Sequence, residues 1–123
     1  MLDALFSIKP KYVKEIFSGR KKFELRRLPC KKEIAKIIIY ETAPISLVVG
    51  EVEVVNVIKE TPENLWKIVK DASCLSYQEF SIYFKNHDFA YAYELKNPVR
   101  YGKSKKLSDY RMKVPPQNFF YIK

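Results

Sequence analysis

At 123 residues the chain has room for one hydrophobic core, so residues 1–123 are expected to form a single domain. Apolar residues make up 47% of it and aromatic residues 15%, which excludes a disordered polymer. Lys and Arg outnumber Asp and Glu by 23 to 14, a net charge of +9, and the excess lies at the two ends: residues 9–36 carry +8, residues 37–95 carry −5 and residues 96–123 carry +7. If the fold joins the ends, one positive face results, the footprint expected for a polyanion partner; a solvated lysine-rich surface is the alternative. No apolar run exceeds about six residues, far short of the ~20 that cross a bilayer, so no membrane role is expected. Met1-Leu2-Asp3-Ala4 lacks the basic and apolar regions of a secretory signal, and the expected location is the cytoplasm.

In chain order, Leu2 to Ser7 reads as a first strand. Pro10 then opens a helix at its favoured first position, and Gly19 closes it, with Tyr12, Val13, Ile16 and Phe17 on one face. Lys22 to Arg26 alternates as a strand, Phe23 and Leu25 pointing inward. Lys36 to Tyr40 is a β-branched strand buried on both faces, and Glu41 to Pro44 a turn. Leu47 to Ile58 is a long strand in which Val52 and Val54 share one face and Val55 and Val57 the other, a slip in parity that predicts a bulge near Val54. Thr61-Pro62 caps a helix with Leu65, Trp66, Ile68 and Val69 as its buried stripe. Ser76 to Glu79 has the spacing of a capping box and opens a helix with Phe80, Tyr83 and Phe84 inward. Phe89 to Leu95 alternates as a strand; a basic stretch, Pro115-Pro116 and a final strand, Phe119 to Ile122, complete the chain. Five or six strands with two or three flanking helices predict a small α+β barrel.

Several chemistries are excluded. The lone histidine, His87, has no nucleophilic partner pattern around it. Cys30 and Cys74 stand apart, too few for a zinc site or a disulfide framework, and Gly19, Gly50 and Gly102 do not cluster into a phosphate-cradling loop. No metal and no cofactor are expected.

The most informative stretch is Gly19-Arg20-Lys21-Lys22-Phe23-Glu24-Leu25-Arg26, where a helix ends and a strand begins. Parity places Glu24 and Arg26 opposite Phe23 and Leu25, at the rim of the barrel, with Lys21 at the strand's mouth. A carboxylate between two cations orients the guanidinium and leaves positive charge for a phosphate or a base edge. A surface ion-pair cluster is the other account of the same residues.

Gly19-x-Lys21-x-x-Glu24-x-Arg26 matches the G-x-K-x-x-E-x-R signature of the ASCH domain, a member of the PUA-like β-barrel superfamily. The resemblance extends to Ser7-Ile8-Lys9-Pro10-Lys11-Tyr12, to Tyr40-Glu41-Thr42-Ala43-Pro44 with Val49-Gly50-Glu51, to Leu65-Trp66, to the Phe80–Phe84 helix and to Pro115-Pro116-Gln117-Asn118-Phe119, and so covers nearly the whole chain. The branch it most resembles is that of predicted transcriptional regulators with PUA-like domains.

The resemblance implies a PUA-like barrel with a basic cleft that binds RNA, a nucleotide or a nucleoside, in a regulatory setting related to transcription or RNA. The ligand-binding residues implied are Lys21, Glu24 and Arg26, with Ser7, Lys9, Tyr40, Thr42 and Gln117 around them. The alternative is a small hydrolase acting on N4-acylated cytidine nucleosides or on RNA, with Lys21 and Glu24 as its catalytic groups. The amidohydrolase branch of the family uses a lysine, a threonine and a glutamate. Lys21 matches the lysine, Glu24 replaces the threonine, and no carboxylate falls between Ala72 and Cys74 where the glutamate is expected.

Overall fold

The computed structural model describes residues 1–122. It is an α+β fold built on one six-stranded mixed sheet with three helices. The strands are β1 (Leu2–Ile8), β2 (Phe23–Arg26), β3 (Ile34–Glu41), β4 (Leu47–Glu60), β5 (Ala90–Lys105) and β6 (Phe119–Ile122), in the spatial order β2-β5-β4-β3-β1-β6. β1 runs parallel to β3, and every other pairing is antiparallel.

Local chemistry sets the helix ends. Helix α1 (Pro10–Phe17) begins on its proline, and Gly19 follows it with φ +85°, a left-handed conformation that L side chains rarely adopt. Thr61 caps α2 (Pro62–Val69) by accepting from the Asn64 amide. Ser76 and Glu79 close a reciprocal capping box on α3 (Tyr77–Tyr83). The long strand β4 breaks register with β5 between Val54 and Asn56, where the parity slip predicts a bulge, and also at Val48/Gly50 and Glu51/Glu53.

Three differences from the sequence expectations are informative. The alternating strand does not end near Leu95; β5 runs on through the basic stretch to Lys105, because β4 is long enough to pair with it as far as Val48. Ile68 is not part of the α2 stripe: it is half exposed, while Leu65 and Val69 are fully buried. The third is the burial of the charged signature residues, described below.

The sheet curls around a core made of Phe6 and Ile8 from β1, Ile37 and Ile39 from β3, Val49 and Val52 from β4, and Val13 and Ile16 from α1. Phe6 meets Tyr93 of β5 edge to face at 5.3 Å. Gly50 is required where α1 meets the sheet: a Cβ there would lie 2.5 Å from Phe17 Cζ and would also run into the Val99 carbonyl. A second cluster packs Leu65 and Val69 of α2, Phe80 of α3 and Phe84 just after it against Leu25, Ala90 and Ala92.

The two edge strands, β2 and β6, share no hydrogen-bonded ladder. Side chains bridge them instead. Arg26 of β2 donates through Nη1 to the Asn118 carbonyl (3.2 Å), immediately before β6, and through Nη2 to the Ser7 carbonyl of β1 (3.0 Å). Ser7 Oγ donates to the Pro116 carbonyl at 2.7 Å, pinning the same C-terminal segment.

Candidate functional site

A cavity of about 430 Å³ lies where the end of β1, α1, β2 and α3 come together. That volume is in the range of small-ligand sites. Lys21, Glu24, Arg26, Ser7 and Lys9 all line it, so five of the eight residues implied by the signature share one space. The other three do not reach it. Tyr40 is buried with Leu5, Ile38 and Val48 on another side of the sheet. Thr42 sits in the turn after β3, its amide donating to the Ile8 carbonyl. Gln117 is exposed between the two carbonyls that Ser7 and Arg26 hold.

The signature residues are not a solvent-exposed rim. Lys21 is 3% exposed, Glu24 7% and Arg26 8%. The expected surface placement of Lys21 is corrected because α1 turns back at Gly19 and the chain ahead of α3 closes over the lysine. Its Nζ donates to the Ser73 carbonyl at 2.6 Å, lies 3.9 Å from Glu24 Oε1 and stands 4.8 Å from the centre of the Tyr12 ring. Burial pushes the Lys21 ammonium below the ordinary lysine range, with the Glu24 carboxylate acting in the opposite direction. An ammonium has three donors, and one conventional hydrogen bond here occupies only the first.

Glu24 is held asymmetrically. Arg26 donates to it twice, from Nε at 3.0 Å and from Nη2 at 2.8 Å, and both bonds end on Oε2. Oε1 is left facing Lys21. Phe6 packs under the Arg26 guanidinium, 4.6 Å from it. A buried charge pair persists only when its hydrogen bonds are met. Arg26 meets its own through Glu24 and two backbone carbonyls, which makes it the anchor of the site.

The mouth of the cavity is framed by residues that sequence reasoning left unassigned. Tyr12 and Glu79 face one another across it, joined by Lys11, whose Nζ donates to Glu79 Oε2 at 3.0 Å and lies 4.9 Å from the Tyr12 ring. The backbone amide of Ser76 and the Lys11 ammonium hold the Glu79 carboxyl down at about 2. Ile82 and Tyr83, one turn further along α3, and Arg27 also line the cavity. The capping-box spacing placed Glu79 on α3, but nothing local in the sequence turned that helix toward Lys21. Among the described residues no group of three His, Cys, Asp or Glu side chains is placed to hold a metal ion, and no helix is long and apolar enough to cross a membrane.

The family model of the ASCH domain matches residues 6–105. The chain belongs to the ASCH domain family. Its relatives include the ASCH domain-containing ribonuclease of Zymomonas mobilis, 30% identical over 125 residues, a match covering 98% of this chain and 84% of that one. The crystal structure of ASCH from Zymomonas mobilis superposes with a TM-score of 0.87 at 26% identity, covering 98% of this chain and 87% of that one. Two proteins of Ureaplasma parvum also match along 97% of the chain: an ATP synthase subunit alpha at 26% identity and the large ribosomal subunit protein uL22 at 28%. This ASCH chain spans only 15% of the first and 39% of the second. The fold of this ASCH domain is thus the one its signature implied.

Proposed function

We propose that this ASCH domain binds single-stranded RNA, with one nucleotide entering the cavity against Lys21. The observation that carries the reading is Lys21 itself, a buried ammonium with spare donors at the floor of a cavity large enough for a nucleotide. Beside it, Glu24 Oε1 is a free acceptor for a base amino group or a hydroxyl proton. Donor and acceptor stand 3.9 Å apart, a spacing that the edge of a base can span. The name of the Zymomonas relative supports RNA as the ligand class.

The test is binding of short single-stranded RNA as a function of salt. Log affinity should fall linearly with log salt, by ~0.7 for each phosphate contacted, and Lys21→Met should abolish binding while the protein stays folded. Salt-independent affinity, or no binding at low salt, overturns the reading.

A second reading, RNA cleavage, is favoured by the relative named a ribonuclease. In it Glu24 Oε1 accepts the proton of a 2′-hydroxyl as that oxygen attacks phosphorus, and the bond from phosphorus to the 5′-oxygen breaks to leave a 2′,3′-cyclic phosphate. The departing 5′-oxygen takes a proton from water, and the Lys21 ammonium stabilises the charge gathering on the phosphoryl oxygens. A 2′-O-methyl strand separates the two: it should bind in either case, and only the unmethylated strand should be cut if the domain is a nuclease.

A further inference from the structure

We propose that Arg27 and Ile82 form a subsite for the nucleotide next to the one in the cavity, so that the preferred ligand carries a phosphodiester and is a strand rather than a free nucleoside. This rests on the RNA reading above and extends it to residues outside the signature.

The cations lining the cavity differ in how far they are already committed. Arg26 is tied to Glu24 and to two carbonyls, Lys21 donates to the Ser73 carbonyl, and Lys9 is uncommitted but has no side-chain contact that fixes its ammonium among the described residues. Arg27 has no carboxylate within ion-pair distance among the described residues. Its guanidinium is nevertheless fixed: Nε donates to the Tyr83 carbonyl at 2.8 Å, and the group stacks 4.3 Å from the centre of the Tyr83 ring. The ring is held in turn, its hydroxyl donating to the Leu25 carbonyl at 3.4 Å and its edge packing against Phe84. A guanidinium anchored by Nε and one face keeps its two terminal nitrogens free, the fork that binds a phosphate in two-point fashion.

Because its orientation is set before binding, little side-chain freedom is lost on contact. Ile82, one residue before Tyr83 on α3, also lines the cavity, yet is 67% exposed. An apolar side chain left open beside a free guanidinium gives a flanking base something to lie on while its phosphate meets Arg27. A nucleoside sitting against Lys21 leaves both unused.

The experiment compares the four dinucleoside monophosphates ApA, CpC, GpG and UpU, each with a 2′-O-methyl group to prevent cleavage, against the four nucleosides. Binding is measured by titration calorimetry or by NMR. For the base that binds best, the dinucleotide should bind about tenfold tighter than the nucleoside, as expected for a charge-assisted contact to phosphate. Arg27→Gln, at an exposed position, should erase that margin and leave nucleoside affinity unchanged.

Equal affinity of wild-type protein for the two ligand classes overturns the subsite. So does a margin that survives Arg27→Gln, or an equal loss for both ligands. If neither class binds wild-type protein, the RNA reading fails and the subsite with it; if both bind without a margin, only the subsite fails.

Discussion

The Lys21 ammonium lies 2.6 Å from the carbonyl oxygen of Ser73, a residue 52 positions away and itself fully buried. This contact gives Lys21 two duties, one toward a ligand and one toward the segment between α2 and α3.

Those duties separate by substitution. Lys21→Ala leaves the Ser73 carbonyl unpaired in a buried place and opens a void, which should cost about 1–3 kcal/mol of stability. Lys21→Met keeps the stem and leaves no void, but it too leaves the Ser73 carbonyl without a donor. It should lose less than Lys21→Ala without matching wild type. Chemical denaturation should therefore rank wild type above Lys21→Met and Lys21→Met above Lys21→Ala, with RNA binding lost in both variants.

Arg26→Ala should be the most damaging substitution in the signature. It strands the buried Glu24 carboxylate and two carbonyls, and removing one partner of a buried pair costs about 3–5 kcal/mol. Where the variant remains folded, hydrogen exchange should show early opening of Phe119–Ile122, since the bond to the Asn118 carbonyl is gone.

Glu79 predicts an acid-side dependence. Its carboxyl is held at about 2, below the ordinary 4.5, chiefly by the Ser76 backbone amide and by Lys11. A depressed carboxyl contributes stability that is present above its unfolded value and lost as pH falls toward the folded one. Thermal melts between pH 4.5 and 2 should thus decline less steeply in Glu79→Gln, which keeps the capping geometry without the charge.

Turnover of N4-acetylcytidine should be negligible, and Glu24→Thr should not create it. The position of the related hydrolases' threonine is filled by a carboxylate bound to Arg26, and the segment next to Lys21 offers the Ser73 carbonyl and Cys74 rather than a carboxylate. Glu24→Thr also deprives Arg26 of its counter-charge, so a lower melting temperature should accompany the absent activity. Turnover that disappears in Lys21→Met would contradict this.

What could be read from the sequence was what short segments decide. Gly19, the Ser76–Glu79 box and the Thr61 cap rest on interactions within a few residues, and the bulge near Val54, though it lies in the pairing with β5, shows in the parity of β4 alone. Lys21, Glu24 and Arg26, which the signature brings forward, share one cavity. Their burial was hidden because it depends on Ser73, Asn118 and Phe6, which come from distant parts of the chain. Arg27 was passed over for the same reason: in the sequence it is one more surface cation, and only its contact with Tyr83, 56 positions on, sets it apart.

The bridge from Arg26 to the Asn118 carbonyl spans 92 positions, and that from Ser7 to the Pro116 carbonyl spans 109. Contacts so far apart along a chain close late in folding, after the nearer pairings have formed. The guanidinium that orients Glu24 therefore gains its bond to the Asn118 carbonyl only when the C-terminal segment docks. Its bonds to Glu24 and to the Ser7 carbonyl do not need that segment. A nascent chain still missing residues 115–122 already holds every residue that lines the cavity, and lacks only this clasp behind it. Docking of the last strand thus secures one guanidinium nitrogen and one serine hydroxyl at the back of a cavity whose walls the rest of the chain supplies.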